Sequence, residues 1–206
     1  MKKQGILVAL EGIDGSGKST QAAMLAAHLN GIGVPSIIIK AKDTEHDHAF
    51  NEFVQTFALG NDSIGYMFAY QALHRRQYER TVQALAEGKV VIADRWNISY
   101  FVYHNKFGAL SGKSEQLRAD IDRLAFEGLE PTAAFFLDIR VAAAFRRRIE
   151  RGEAGSFSDA DKHFYTLIRT EYLRLAPAHH WMIINGEGSI NNIHCKIVDF
   201  ISDLLD

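Results

Sequence analysis

Cysteine is nearly absent: Cys195 is the only one in 206 residues, so no intrachain disulfide can form and a reducing cytosol is the expected setting. A single thiol of this kind is expected to act as a small buried apolar side chain. Long apolar runs are missing as well. Lys2 and Lys3 ahead of Ile6 to Leu10 have the outline of a signal peptide, but Glu11 and Gly12 end the apolar stretch too early, and no segment is long enough to cross a membrane. Secretion and membrane insertion are therefore not expected. Nor is there an excess of either charge: 23 Lys and Arg against 25 Asp and Glu leave a formal net charge of -2, which gives no support to a general role on nucleic acid or a membrane surface. Repeats, linkers and low-complexity tracts are lacking too, so residues 1–206 are expected to fold as one domain.

What is present begins at Leu7. The stretch Leu7-Val8-Ala9-Leu10-Glu11-Gly12-Ile13-Asp14-Gly15-Ser16-Gly17-Lys18-Ser19-Thr20 joins an apolar strand, a glycine-rich turn and a helix start. Gly12, Gly17, Lys18 and Ser19 satisfy GxxxxGK followed by Ser or Thr, the pattern of a phosphate-binding loop. Glycines let the backbone curl until several N–H groups point at one anion, and the helix start adds its dipole. Lys18 brings a mobile cation to the outer phosphates, and Ser19 offers a hydroxyl to Mg2+. Chance can produce such a match, but an apolar strand before it and a helical pattern from Lys18 to Asn30 after it supply the context the motif requires.

The rest of the chain alternates. Ile6 to Leu10 is almost continuously apolar, as a parallel strand covered on both faces must be. Gly31 and Gly33 stop the helix, Pro35 precedes a second buried strand, Ser36 to Ile39, and a right-handed βαβ unit is the default connection. The charged loop from Lys40 to His48 then falls at the carboxyl end of that strand, where open α/β sheets bind ligands, so Lys40 and Lys42 are candidates to meet an anion. His46, Asp47 and His48 alternate too weakly to define a metal site, and none is assigned there. A short helix is expected over Asn51 to Leu59, and a longer one, capped by Asn61-Asp62-Ser63, to about Glu87. On it Tyr70 and His74 lie four apart and Arg75 and Arg76 continue the turn, so a ring and hydrogen-bonding or cationic groups can project together toward a ligand. An amphipathic helix with a solvated basic edge accounts for the pattern equally well.

Lys89 to Asp94 predicts a third strand, ending in Asp94-Arg95-Trp96. A carboxylate at the end of an apolar strand is costly to bury alone, and Mg2+ beside the phosphate loop would partner Asp94. Arg95 can bridge two phosphate groups as lysine cannot; a structural Asp94/Arg95 pair is the competing account. Residues 97–107 are rich in aromatics, most of them explained by core packing, with Tyr103 assigned to a ligand. Glu115 to Phe126 predicts a helix and Ala133 to Asp138 a fourth strand. Val141 to Arg151 carries Arg146, Arg147, Arg148 and Arg151, of which Arg147 and Arg151 share a face, and Gly152 to Ser156 breaks the chain before a helix from Asp159 to Ala176. A mobile lid over about residues 146–160 would be built this way, with arginines closing on phosphates; a solvated helix and an ordinary loop would look the same. His179 to Asn185 predicts a fifth strand and Ile190 to Leu205 a final amphipathic helix. The expected fold is α/β, a five-stranded parallel sheet between helices, the P-loop NTPase arrangement with a short lid.

Taken in order, the Glu11-to-Thr20 loop, Asp94-Arg95-Trp96 after a strand, and Leu137-Asp138 leading into an arginine-rich helix resemble the thymidylate kinase family over nearly the whole chain. Arg169-Thr170-Glu171-Tyr172-Leu173-Arg174-Leu175-Ala176 also resembles the helix after that family's lid. The resemblance implies transfer of the γ-phosphoryl of ATP to dTMP with Mg2+, by a cytoplasmic homodimer whose partner is a nucleoside monophosphate rather than nucleic acid or membrane. It implies an ATP-binding set of Gly12, Asp14, Gly15, Ser16, Gly17, Lys18, Ser19, Thr20 and Arg147. It further implies Mg2+ at Ser19 and Asp94, a sugar 3′-hydroxyl on Asp14, and catalytic roles for Lys18, Asp94, Arg95 and Arg151. The acceptor would meet Asp14, Lys40, Lys42, Tyr70, His74, Arg75, Arg95 and Tyr103.

Three departures stand out. Lys40-Ala41-Lys42-Asp43 replaces the family's arginine-containing TREP-like segment. Tyr70 and His74 fall, counting back from Asp94, where the family carries Phe and Arg, while Phe68 has Ala72 four residues on. Gly155-Ser156-Phe157 stands where a lid arginine is usual, with Arg151 as the substitute. They keep two alternatives open: a kinase for another small phosphorylated or hydroxyl acceptor, and a nucleotide-binding protein that has lost the reaction.

Overall fold

The computed structural model describes residues 5–40, 48–59, 63–106, 108–153 and 155–205. Its five strands are β1 (Ile6–Glu11), β2 (Ser36–Lys40), β3 (Val90–Asp94), β4 (Ala133–Asp138) and β5 (Met182–Asn185). They pair in the order β2-β3-β1-β4-β5, every pair parallel. Parallel neighbours require crossovers, and helices supply them. The helices are α1 (Lys18–Gly31), α2 (His48–Leu59), α3 (Ser63–Ala86), α4 (Asn97–Tyr100), α5 (Glu115–Phe126), α6 (Val141–Glu150), α7 (Asp159–Leu175) and α8 (Ile190–Leu205). A π-helical turn, Phe101–Lys106, continues α4 directly.

The continuous apolar run of β1 is explained by what covers it. Leu7, Val8, Ala9 and Leu10 are each at most 1% exposed. Side chains alternate along a strand. Val8 and Leu10 therefore join Ala22, Leu25 and Leu29 of α1 and Ile193, Ile197 and Ile201 of α8, whereas Leu7 and Ala9 join Met67 and Ala84 of α3 and Ala125 and Phe126 of α5. Each fully buried aliphatic side chain stabilises the fold by roughly 1.5–3 kcal/mol, so a polar substitution anywhere in β1 damages one of the two layers. A third cluster, with Ile13, Phe136, Ile139, Ala144, Ile168 and Tyr172, ties the phosphate loop to α6 and α7.

Register brings the polar ends together. Leu10 is level with Asp94, and Asp94 with Lys40, so β1, β3 and β2 end at one edge, with Glu11 one residue beyond that level. β1 has β3 on one side and β4 on the other, and this change of direction opens a crevice at the carboxyl edge.

The elements fall close to their sequence-predicted positions, with exceptions. α2 begins at His48 rather than Asn51. β5 begins at Met182 rather than His179, because the amides of His179, His180 and Trp181 donate back to carbonyls of Leu175, Pro177 and Ala176, and His180 turns through φ 55°. These residues close α7 instead of starting a strand. Cys195, expected to be buried, is exposed, since it lies off the Ile193, Ile197, Ile201 stripe of α8. Lys42, His46, Asp47, Asn61 and Asp62 lie outside the described residues. Among the described residues no helix is long and apolar enough to cross a membrane.

Candidate active site

After Glu11 the chain turns through Gly12, Gly15 and Gly17 with φ of 146°, 88° and 102°. Glycine adopts such values without strain. Two of the three also lack room: a Cβ on Gly12 would sit 2.8 Å from Ser16 Oγ, and one on Gly15 only 2.6 Å from the Ala144 carbonyl oxygen. Gly17 starts α1 with no side-chain cap, as suits a helix start that meets an anion. Lys18 is buried, and its Nζ donates to the Ile13 carbonyl at 3.0 Å. Burial and the neighbouring Arg95 guanidinium lower its pKa to about 8, against the opposite pull of Asp14, Asp94 and Glu11. A lysine held this way gains a strong reason to meet phosphate.

The Ser19 hydroxyl donates to Asp94 Oδ2 at 2.5 Å, and Lys40 Nζ lies 3.7 Å from the same oxygen. One hydroxyl and one carboxylate, presented together at the end of the phosphate loop, are the hard oxygen donors that Mg2+ combines with phosphate oxygens and water. The donor set thus fits the ion.

Arg95 adopts φ 77° and its side chain lies between the loop and α7. Nη1 donates to the Gly12 carbonyl at 2.8 Å and Nη2 pairs with the Asp14 carboxylate. The guanidinium carbon is 5.2 Å from the centroid of the Tyr103 ring. Tyr165 donates to Asp14 Oδ2 at 2.8 Å. Burial opposes the charge on Asp14, but Arg95, Lys18 and the Tyr165 hydroxyl together outweigh it and hold the carboxyl well below the usual carboxylate range. Asp14 is accordingly a fixed anion, and burial together with Asp14 pushes the Tyr165 hydroxyl up to about 12.

These groups open onto a cleft of about 940 Å³. Its lining combines the phosphate loop, Lys40, Asp94, Arg95, Arg148 and Arg151 with the rings of Tyr66, Tyr70, His74, Tyr100, Tyr103 and Phe164. His74 is buried with its ring centroid 5.2 Å from Tyr70, 5.6 Å from Tyr100 and 5.2 Å from Phe126. Burial and the neighbouring Tyr66 push the Tyr70 hydroxyl up to about 12, so it enters any contact protonated. A cleft lined by both charged groups and aromatic rings suits a molecule that carries a phosphate and a flat ring.

Of the residues picked from sequence, Asp14, Gly15, Gly17, Lys18, Ser19, Thr20, Lys40, Tyr70, His74, Asp94, Arg95, Tyr103 and Arg151 line this cleft. Gly12 and Ser16 shape the loop without lining it, and Lys42 is outside the described residues. Arg75 corrects the expectation: its Nη1 donates to Glu127 at 2.7 Å and its Nε to Glu79 at 3.3 Å, over the Tyr78 ring. One step along a helix turns a side chain by about 100°, which carries Arg75 away from the face His74 uses. Arg147 likewise does not line the cleft, its Nη1 reaching the Gly15 carbonyl at 3.5 Å.

Arg148, named within the arginine-rich helix but not assigned to the site, is the arginine of α6 that reaches the cleft. It lines the cleft, donates to the Tyr165 hydroxyl at 3.3 Å and to Glu153 at 3.2 Å, and lies 4.7 Å over Phe157. Phe157 in turn stacks on Phe145 at 3.8 Å. Arg151 is more exposed, 48% against 18% for Arg148, and pairs with Glu153 at 2.7 Å. Ser99, Tyr100, Tyr165 and Phe164 were also missed. Aromatic crowding at residues 100–107 and 164–165 was the one signal for the three rings, and nothing local marked Ser99.

The thymidylate kinase family model matches residues 10–197. A probable thymidylate kinase of Pyrococcus abyssi is 32% identical over 209 residues, covering 96% of each chain. A thymidylate kinase of Wolbachia pipientis wMel is 30% identical over 204 residues, covering 96% of this chain and all of the relative. One of Dinoroseobacter shibae is 34% identical over 187 residues, 86% of each. With the phosphate loop, the Asp94-Arg95 pair and the parallel sheet that joins them, this chain belongs to the thymidylate kinase family.

Proposed function

We propose that the chain phosphorylates dTMP to dTDP with ATP and Mg2+. The observation that carries this is Arg95, which lines the cleft against the phosphate loop with Asp14 on its Nη2 and the Tyr103 ring beside it. ATP phosphates lie on the loop amides and Lys18. The base of dTMP lies among Tyr70, His74 and Tyr103, its 3′-hydroxyl donates to Asp14, and its phosphate meets Arg95 with Lys40 nearby. Arg95 then holds donor and acceptor phosphates together. Ser19 and Asp94 would hold Mg2+, which neutralises charge on the β- and γ-phosphate oxygens.

The attacking phosphate oxygen is already ionised near neutral pH, so no strong general base is needed, and positioning with charge stabilisation carries the rate. Arg148, locked between Glu153, Tyr165 and Phe157, is the better-placed of the two cleft arginines from α6 and its end, with Arg151 beside it. The reading extends to a single domain and to a cytoplasmic homodimer, as the family resemblance implies.

The test is ADP release measured over a panel of dTMP, dUMP and other nucleoside monophosphates. dTMP is expected to turn over fastest. Faster turnover of another monophosphate would move the assignment to that acceptor, and no turnover with any of them would refute the kinase.

A further inference from the structure

Beneath Arg95 lies a buried polar cluster that the proposed reaction does not itself use. Glu11, the last residue of β1, is 1% exposed, yet its carboxylate is surrounded by donors. Oε1 accepts from the Trp96 amide at 2.9 Å and the Ser99 amide at 3.4 Å; Oε2 accepts from the Ser99 hydroxyl at 2.6 Å and the Tyr172 hydroxyl at 3.1 Å. Those two hydroxyl oxygens lie 2.7 Å apart. Each also accepts from Arg95 Nη1, at 3.1 Å and 3.4 Å. With one hydrogen each, the two hydroxyls share their donations between Glu11 and one another while both accept from Arg95, so they link the guanidinium to a carboxyl group it does not touch.

The cluster joins three distant parts of the chain: β1, α4 and α7. It converges on a residue whose backbone is itself in an uncommon conformation. Arg95 has φ 77°, a value arginine does not adopt unaided. Gln77 Nε2 donates to its carbonyl at 2.7 Å, and its own amide donates to the Leu10 carbonyl at 3.1 Å. Backbone and side chain are thus constrained separately. Asp14 on Nη2 and the Gly12 carbonyl on Nη1 also hold the guanidinium.

We propose that Glu11, Ser99 and Tyr172 are positioning residues that act through Arg95, holding its guanidinium at the angle from which it meets the transferring phosphoryl group. The inference rests on the role given to Arg95 above. Burial raises the Glu11 carboxyl above its ordinary value, and the Ser99 hydroxyl, the Arg95 charge, the Trp96 amide and the Tyr172 hydroxyl oppose it; two of these donors are the hydroxyls that also orient Arg95.

Tyr172→Phe removes one oxygen and keeps the ring, which stacks on Phe136 at 5.0 Å. Loss of one hydrogen bond to a charged group corresponds to about a tenfold fall in kcat when that bond matters in the transition state, with KM for both nucleotides within about twofold. Ser99→Ala is the second variant, expected to behave alike and serving if Tyr172→Phe does not fold. Arg95→Lys, assayed by single-turnover transfer of labelled phosphate, is expected to be slow by itself. In that background Tyr172→Phe should change the rate by less than about twofold.

Full kcat in Tyr172→Phe and Ser99→Ala, beside an impaired Arg95→Lys, would overturn the positioning role and leave the kinase assignment standing. A change in KM alone, or the same tenfold loss repeated in the Arg95→Lys background, would overturn it too. Full activity in Arg95→Lys would instead remove the role of Arg95 on which the inference rests.

Discussion

Gly15→Ala and Gly17→Ala add the same methyl group to the phosphate loop, and their costs should differ. Both sites are left-handed, with φ 88° and 102°, where an L-residue costs about 1–2 kcal/mol. At Gly17 that is the whole cost, because nothing lies within 4 Å of an added Cβ. At Gly15 the Cβ would sit 2.6 Å from the Ala144 carbonyl oxygen and 3.1 Å from both the carbonyl carbon and Cα of Ala144. These are backbone atoms of α6, which cannot rotate aside as a side chain can. Either α6 or the loop must move, adding overpacking of about 1–3 kcal/mol. The totals are about 2–5 kcal/mol for Gly15→Ala and about 1–2 kcal/mol for Gly17→Ala. In a chain of this length each kcal/mol lowers Tm by about 2–4 °C, so melting should fall by roughly 4–20 °C and 2–8 °C respectively. Thermal melts of the nucleotide-free protein compare the two directly. Equal losses would refute the view that α6 buttresses the phosphate loop from behind.

Two further outcomes follow from side chains near the cleft. Arg75→Ala should leave kcat and KM for the monophosphate within about twofold, because Arg75 is engaged with Glu127 and Glu79 outside the cleft; a tenfold rise in KM would return it to the acceptor site. Arg148→Met should lower kcat by about tenfold or more and exceed the effect of Arg151→Met, and the reverse order in steady-state assays would restore Arg151 to the leading role. A pH dependence arises in α5, where burial, with Glu130 adding to it, raises the Asp122 carboxyl from its ordinary 3.8 to about 6. The folded state then holds that proton more tightly than the unfolded chain, so the stabilisation is full below about pH 4 and is lost as pH rises through about 6. Asp122→Asn, always neutral, should exceed the parent in stability at pH 7 by on the order of 1–3 kcal/mol, and the gap should close near pH 4. Urea unfolding at both values decides; an unchanged gap would refute the buried ionisation.

What the sequence determined by itself was local or periodic. The phosphate loop is legible because its ligands are consecutive and their backbone needs glycine at set positions, so Gly12 to Ser19 announces a conformation as well as a composition. The sheet is legible for a different reason: a parallel strand covered on both faces must be apolar at every position, as Leu7 to Leu10 and Val90 to Ala93 are. Asp94 stood out because a charge at the end of such a strand demands a partner.

Only the tertiary structure could decide which faces meet. Periodicity puts Arg147 and Arg151 on one side of α6, but the packing of Ala144, Phe145 and Ile168 turns Arg148 and Arg151 to the cleft instead. The same limit hid Tyr165, which donates to Asp14 across 151 positions, and Tyr172, which reaches Glu11 across 161. Arg75 fails for the converse reason, since its neighbour in sequence is not its neighbour in space. A repeat of 3.6 residues fixes which side chains share a surface. The direction of that surface, and the partner it finds, depends on cores assembled from residues far apart in the chain.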